Sequence, residues 1–144
     1  MAEESQAVER RPVVVDTNVL AYYLLGVAPF CRDIAAWLAQ PVHLVAPDSW
    51  RPEILSVLWQ AVMAGSISLE HALALLEQAE GLVDSSVPVR ALWRDTLVLS
   101  AECNSSPYDI LFVALAQREG AALITFDQKL LAAFPDIAGK PDGS

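Results

Sequence analysis

The sequence is short of positive charge. Nine Lys and Arg stand against 18 Asp and Glu in 144 residues, for a formal net charge of −9. A general nucleic-acid binder draws its affinity from Lys and Arg on phosphates, so that class is disfavoured. A nuclease is not, because acids gathered around a metal ion have their local sign reversed by it. Long uncharged apolar runs are also missing. Hydrophobic residues make up 54% of the chain, yet Arg, Glu, Asp or Gln interrupt them at helical spacing. No run reaches the roughly 18 residues of a spanning helix. The segment Met1 to Arg11 is polar and has no apolar stretch of the signal-peptide kind. There are two cysteines, Cys31 and Cys103, too few for a disulfide framework. Both fall in amphipathic segments, where a thiol is expected to be a small buried hydrophobe. With His43 and His71 isolated, a zinc cluster is not expected.

What is present is apolar material for a core. A mean hydropathy of +0.37 is too high for a disordered chain. The length suits one domain, with an ordered core over about 12–137 and polar tails. A soluble cytoplasmic protein is the expectation, with no membrane association.

The order of segments predicts the architecture. Pro12 to Val15, running into Asp16, is a β-branched strand of the kind buried on both faces. Thr17 to Leu25 reads as a helix stopped by Gly26. Pro29 to Gln40 carries a helical apolar stripe, and Val42 to Ala46 is a second strand. A helix from Trp50 to Ala64 stops at Gly65. Another, capped by Ser68, runs to about Glu80 with Gly81 as its stop. Leu82 to Val87 is expected to be a strand, and Pro88 or Val89 to open a helix ending near Asn104. Ser106 and Pro107 are a serine cap and a first-position proline for a helix to Glu119, closed by Gly120. Ala122 to Thr125 is a strand, Asp127 caps a short helix ending before Pro135, and Gly139 to Ser144 is expected to be loose. Strands alternating with helices predict an α/β fold: a three-layer α/β/α sandwich with a short, mainly parallel sheet of four to five strands.

In such a sheet, ligand sites form beyond the carboxyl ends of the strands. Asp16 ends the first strand, and Asp127 lies just past the last. Glu53 and Asp109 each sit in the first turn of a helix. Each has an ordinary structural explanation. Asp16 and Asp127 can cap helices, Asp109 can complement a helix dipole at roughly 0.3–1 kcal/mol, and Glu53 can be a solvated helix residue. Their joint placement points further. Carboxylates that converge cannot all stay ionised without compensation. A hard divalent ion such as Mg²⁺ relieves the conflict, keeps several waters and takes a substrate phosphate as a further ligand.

Three stretches, in order, resemble one family. VVVDTNVLAYYL (Val13 to Leu24) resembles the opening motif of PIN domains, and PEILSVLW (Pro52 to Trp59) their second. SPYDILFVALAQREGAALITFD (Ser106 to Asp127) resembles the third and fourth together. The resemblance runs from Val13 to about Phe134. It implies a Mg²⁺- or Mn²⁺-dependent endoribonuclease acting on RNA, of the VapC toxin type, with an antitoxin as protein partner. It also implies that Asp16, Glu53 and Asp109 are the core metal ligands and catalytic acids, with Asp127 as a fourth. Thr17 or Asn18 would orient Asp16, Thr125 would shape the pocket near Asp127, and Ser106 would support Asp109 by capping its helix.

Arg32, Arg51 and Arg118 are candidates to line the approach of RNA. Two other readings stand beside the ribonuclease. One is a non-catalytic PIN-like module that binds RNA or protein, suggested by the low basic content. The other is a phosphohydrolase with an aspartate nucleophile, which DTN fits poorly because it lacks a second Asp two residues on. A homodimer is expected because Trp37, Trp59, Leu73, Leu76 and Trp93 exceed what a small core needs to bury.

Overall fold

Five strands form one sheet in the order β3-β2-β1-β4-β5, and every neighbouring pair is parallel. The structure is a computed structural model that describes residues 9–142. In chain order the strands are β1 (Arg11–Val15), β2 (Val42–Pro47), β3 (Ser85–Val87), β4 (Ala122–Ile124) and β5 (Ala138–Gly139). The helices are α1 (Thr17–Leu25), α2 (Phe30–Leu38), α3 (Trp50–Met63), α4 (Leu69–Leu82), α5 (Trp93–Cys103), α6 (Pro107–Glu119) and α7 (Gln128–Ala133), with a 3₁₀ turn at Val89–Ala91.

The central strand explains the layering. Val13, Val14 and Val15 of β1 are buried, which a strand flanked on both sides and covered on both faces requires. The register pairs Val13 with Leu44 on one side and Val14 with Leu123 on the other. Helix α6 lies on β1, β2 and β4, with α5 packed against it; α1, α2, α3 and α4 pack among themselves. The result is a three-layer α/β/α arrangement. Ile110 through Ala116 of α6 are all buried. A helix apolar all round needs cover on every side, and the sheet with α5 supplies it.

Several elements differ from expectation for local reasons. Gly81 does not stop α4. The helix continues to Leu82, Val83 turns extended, and Asp84 donates its N–H to Leu44 O at 2.9 Å. That bond leads into β3, which is therefore shorter than Leu82 to Val87. The helix expected from Pro88 to Asn104 is two pieces, a 3₁₀ turn and α5, separated at the buried Leu92. Asn104 closes α5 in the left-handed region (φ 52). Gly139, the first residue of the expected tail, is recruited with Ala138 as β5. Gln40 Nε2 also donates to Asp142 O at 2.8 Å, so the described part of the tail is tied down. Residues 143 and 144, and residues 1–8 of the polar leader, lie outside the described residues.

The cysteines are not both buried. Cys31 is half-buried and Cys103 is exposed, because α5 turns Thr96 and Ser100 inward and ends at Cys103. Trp37 is also a correction, since it is core rather than surplus apolar surface. Leu76 is half-buried against that core, whereas Trp59, Leu73 and Trp93 remain exposed. Among the described residues no single helix is long and apolar enough to cross a membrane.

Candidate active site

The strand-to-helix junction after β1 creates the first side chain of the site. Asp16 is in extended backbone at the N-cap of α1 and accepts from Thr17 N–H at 2.8 Å through Oδ1. Its own N–H is held by Ile124 O at 2.9 Å, which fixes it to the end of β4. Oδ2 accepts from the Thr125 hydroxyl at 2.7 Å. The carboxylate is therefore buried yet anchored at both oxygens.

Glu53 comes from the first turn of α3, the helix that follows β2. Its Oε1 accepts from the Thr17 hydroxyl at 2.9 Å. Thr17 thus serves two acids, Asp16 through its backbone and Glu53 through its side chain. Asp109 is the third residue of α6. Its turn is set by Ser106, whose Oγ accepts from Tyr108 N–H at 3.3 Å and whose carbonyl accepts from Asp109 N–H at 3.1 Å. Asp127 caps α7, with Oδ1 accepting from Lys129 N–H at 2.8 Å and Leu130 N–H at 3.1 Å. The capping role and the cleft position coexist in this residue.

Asn18 acts mainly as a clip. Its Oδ1 accepts from Phe126 N–H at 3.2 Å, holding the segment between Thr125 and Asp127. Its amide nitrogen lies at 3.5 Å from Asp16 Oδ2 and 3.4 Å from Thr125 Oγ1, both at the weak limit of hydrogen bonding. Thr125 contacts Asp16 directly and also accepts from Asp127 N–H at 3.0 Å.

All four acids line one cleft of about 350 Å³, together with Thr17, Asn18 and Ser56. Ala21 and Val57 complete its wall. Ser56 was not singled out from the sequence, although its place three residues after Glu53 puts it on the same helical face. A larger, mostly apolar groove beside the 3₁₀ turn contains none of the four acids.

Electrostatically the cleft is strained by its own charge. Burial pushes Asp16 up to about 6, against the lowering effect of its bonds to Thr125 and Thr17, with Glu53 and Asp109 adding repulsion. Burial also raises Glu53, opposed by the Thr17 bond and reinforced by Asp109. Asp109 is raised by burial and then by Asp127, while Lys129 pulls the other way.

The arginines do not gather here. Arg51 pairs with Asp48 and Glu80 on the surface of α3 and α4. Arg118 reaches Ala91 O at 3.4 Å and lines a different cleft. Arg32 is exposed on α2 and does not line the acid cleft. Lys129, in the first turn of α7, lowers the pKa of Asp109 among the four acids. The signal for it was its place two residues after Asp127.

A parallel sheet between helical layers, with acids gathered where its strands end, defines the chain as an α/β/α domain built around a carboxylate cleft. The PIN domain family model matches residues 13–138, and the chain belongs to the PIN-domain family. Within it the chain is of VapC type. It is 30% identical over 129 residues to Ribonuclease VapC3 of Mycobacterium tuberculosis, covering 85% of this chain and 88% of that protein. The same match is found in strains CDC 1551 / Oshkosh and ATCC 25618 / H37Rv. Among solved structures, a toxin-antitoxin complex from Klebsiella pneumoniae contains a chain with a TM-score of 0.61 and 21% identity. That match covers 90% of this chain and 97% of the other, and it shows a shared fold.

Proposed function

We propose that this chain is an endoribonuclease toxin that hydrolyses RNA phosphodiester bonds with Mg²⁺ or Mn²⁺ held at Asp16, Glu53, Asp109 and Asp127. One observation carries the reading: four acids from separate parts of the chain line a single cleft, and among the described residues none forms an ion pair there. Three of them have raised pKa values, so their ionised forms lack compensation. An all-oxygen donor set short of positive charge suits a hard divalent cation. Among the described residues no three His, Cys, Asp or Glu side chains enclose an ion by themselves. Mg²⁺ needs no such cage, since waters and a substrate phosphate complete its shell.

When bound, the ion lowers the pKa of a water and offsets charge developing on the phosphate. The protein groups do the rest. The Thr125 hydroxyl and Thr17 N–H fix both oxygens of Asp16. The Thr17 hydroxyl holds Glu53, and Ser106 sets the turn that presents Asp109. The similarity to a ribonuclease VapC3 supports RNA as the substrate.

The same reading places the protein in the cytoplasm, restrained by an antitoxin protein. The Klebsiella neighbour, solved as a toxin-antitoxin complex, supports a partner of that kind. The reading also makes the chain a homodimer through α5 and α6. Trp93, Leu97, Val98 and Tyr108 are exposed there, and the adjoining surface mixes Arg94 and Arg118 with Asp95 and Glu102. A patch carrying both signs can complement itself across a twofold axis.

The test is cleavage of RNA in Mg²⁺ or Mn²⁺ by the parent, Asp16→Asn and Asp109→Asn. Both variants are expected to lose more than the roughly 10–100-fold typical of removing a group behind a metal ligand. Folded variants that cut like the parent contradict the assignment. A parent that binds RNA but never cuts it supports a non-catalytic module instead.

A further inference from the structure

We propose that Phe126 is a positioning residue for Asp127, and that Tyr22 and Phe30 clamp its ring, so that α2, which supplies none of the four acids, helps hold the metal site in shape. The claim about the metal rests on the reading of the cleft given above.

Asp127 stands at the head of a weak element. Helix α7 has six residues, and Leu130 is its only buried one. A helix that short is not stable by itself and cannot fix its own N-cap. The link from β4, Thr125-Phe126-Asp127, must therefore set where the carboxylate lies. Thr125 is fully buried and bonded to Asp16. Both cap bonds of Asp127 go to Oδ1, so Oδ2 is the oxygen that the cap leaves for an ion. Between these two side chains the chain passes through Phe126 alone.

Phe126 is held by its backbone and by its ring. Its N–H donates to Asn18 Oδ1 at 3.2 Å. Its ring centroid lies 5.4 Å from that of Tyr22 and 4.9 Å from that of Phe30. Tyr22 in turn stacks on Phe30 at 4.9 Å, with 20° between the ring planes. Three rings from three parts of the chain thus close a triangle, and ring pairs at such separations attract beyond simple burial. Asn18 and Tyr22 are four residues apart on α1 and share a face, so one helical face grips both the backbone and the ring. Phe30 is the first residue of α2. Ala21 and Asp127, the chain neighbours of Tyr22 and Phe126, line the acid cleft, so the triangle adjoins its wall.

The experiment uses the full chain as parent, Phe30→Ala, Phe30→Tyr, Phe126→Leu and the double variant Phe30→Ala with Phe126→Leu. Leu76→Ala is the control, because Leu76 is half-buried against the core and lines a different cavity. Amide hydrogen exchange of Phe126 and Asp127 is measured by NMR in EDTA, and Mn²⁺ binding is measured by calorimetry. Phe30→Ala is expected to speed exchange at both amides several-fold over Leu76→Ala. Its Mn²⁺ affinity is expected to fall by about 10-fold, the low end of the loss when a group behind a metal ligand is removed. Phe30→Tyr keeps the ring and should match the parent in both. In the double variant the losses should not add, because both substitutions break one triangle.

The outcomes separate the two claims. If the parent binds Mn²⁺ and Phe30→Ala matches Leu76→Ala in exchange and affinity, the clamp is refuted and the metal reading stands. Faster exchange with parental Mn²⁺ affinity refutes the positioning role, since the ring would then hold the chain without shaping the site. If the parent binds no Mn²⁺ but the two amides still loosen in Phe30→Ala alone of the two alanine variants, the clamp on Asp127 stands and the metal reading fails. A parent without Mn²⁺ binding and amides indifferent to Phe30 overturn both.

Discussion

The hydroxyl of Thr125 donates to Oδ2 of Asp16 at 2.7 Å across 109 residues of sequence. The Thr125 hydroxyl oxygen in turn accepts from Asp127 N–H at 3.0 Å. One fully buried threonine therefore couples the end of β1 to the end of β4 and sets two of the four acids. Its bond lowers the Asp16 pKa, while burial, the larger influence, raises it to about 6.

Replacing Thr125 by valine keeps the shape and removes the donor. The Asp16 pKa is expected to rise further, moving the acidic limb of the pH–rate profile upward. Apparent Mn²⁺ affinity should fall by about 10–100-fold, as when a group behind a metal ligand is lost. Thr125→Ser should restore both. An unchanged acidic limb in Thr125→Val would show that the bond does not tune the site.

The raised Asp16 pKa fixes a sign for stability. Between the usual aspartate value of 3.8 and about 6, the folded protein holds a proton that the unfolded chain has released. Metal-free stability from this group is thus fully present below pH 4 and is lost as pH rises through about 6. The change is on the order of 2–3 kcal/mol for a shift of this size. Urea unfolding in EDTA should show the decline, and Asp16→Asn should flatten it. With Mg²⁺ added the trend should oppose this one, because the ion binds the ionised carboxylates of the folded state.

The proposed dimer face makes its own demand. Trp93→Arg combined with Leu97→Glu, both at exposed positions, should leave the fold intact and halve the mass seen by light scattering. A parent that is monomeric at micromolar concentration would exclude the α5–α6 dimer.

Helix α6 carries the core and presents Asp109. Phe112 is buried in a helix whose residues Ile110 to Ala116 are all buried. Phe112→Ala should cost about 3–5 kcal/mol in urea unfolding through lost contact and a residual cavity. A loss below 1 kcal/mol would mean that α6 is not packed as described.

Much of this architecture was legible because local rules and tertiary demands agreed. Val13 to Val15 read as a buried strand and are one, and Gly26, Gly65 and Gly120 end helices in left-handed backbone. Ser106 with Pro107 marked the start of α6. What escaped was set by distant partners. Gly81 was overruled when Asp84 paired with Leu44, and β5 is too short to show a pattern without β4 beside it. The acids could be listed from their positions near strand ends, and the cleft brings all four together. Which hydroxyl holds which carboxylate could not be read in advance. Thr17 reaches Glu53 rather than only its neighbour because α1 and α3 pack together, and Thr125 reaches Asp16 because β1 and β4 lie side by side. The arginines suggested for RNA lie elsewhere, since two of them found protein partners first.

The decisive measurement is anomalous scattering from a crystal soaked in Mn²⁺. The account predicts a peak in the cleft, bonded to carboxylate oxygens of Asp16 and at least one of Glu53, Asp109 and Asp127, and absent from Asp16→Asn. A fully soaked crystal with an empty cleft, or with Mn²⁺ bound only at other acids, would contradict it.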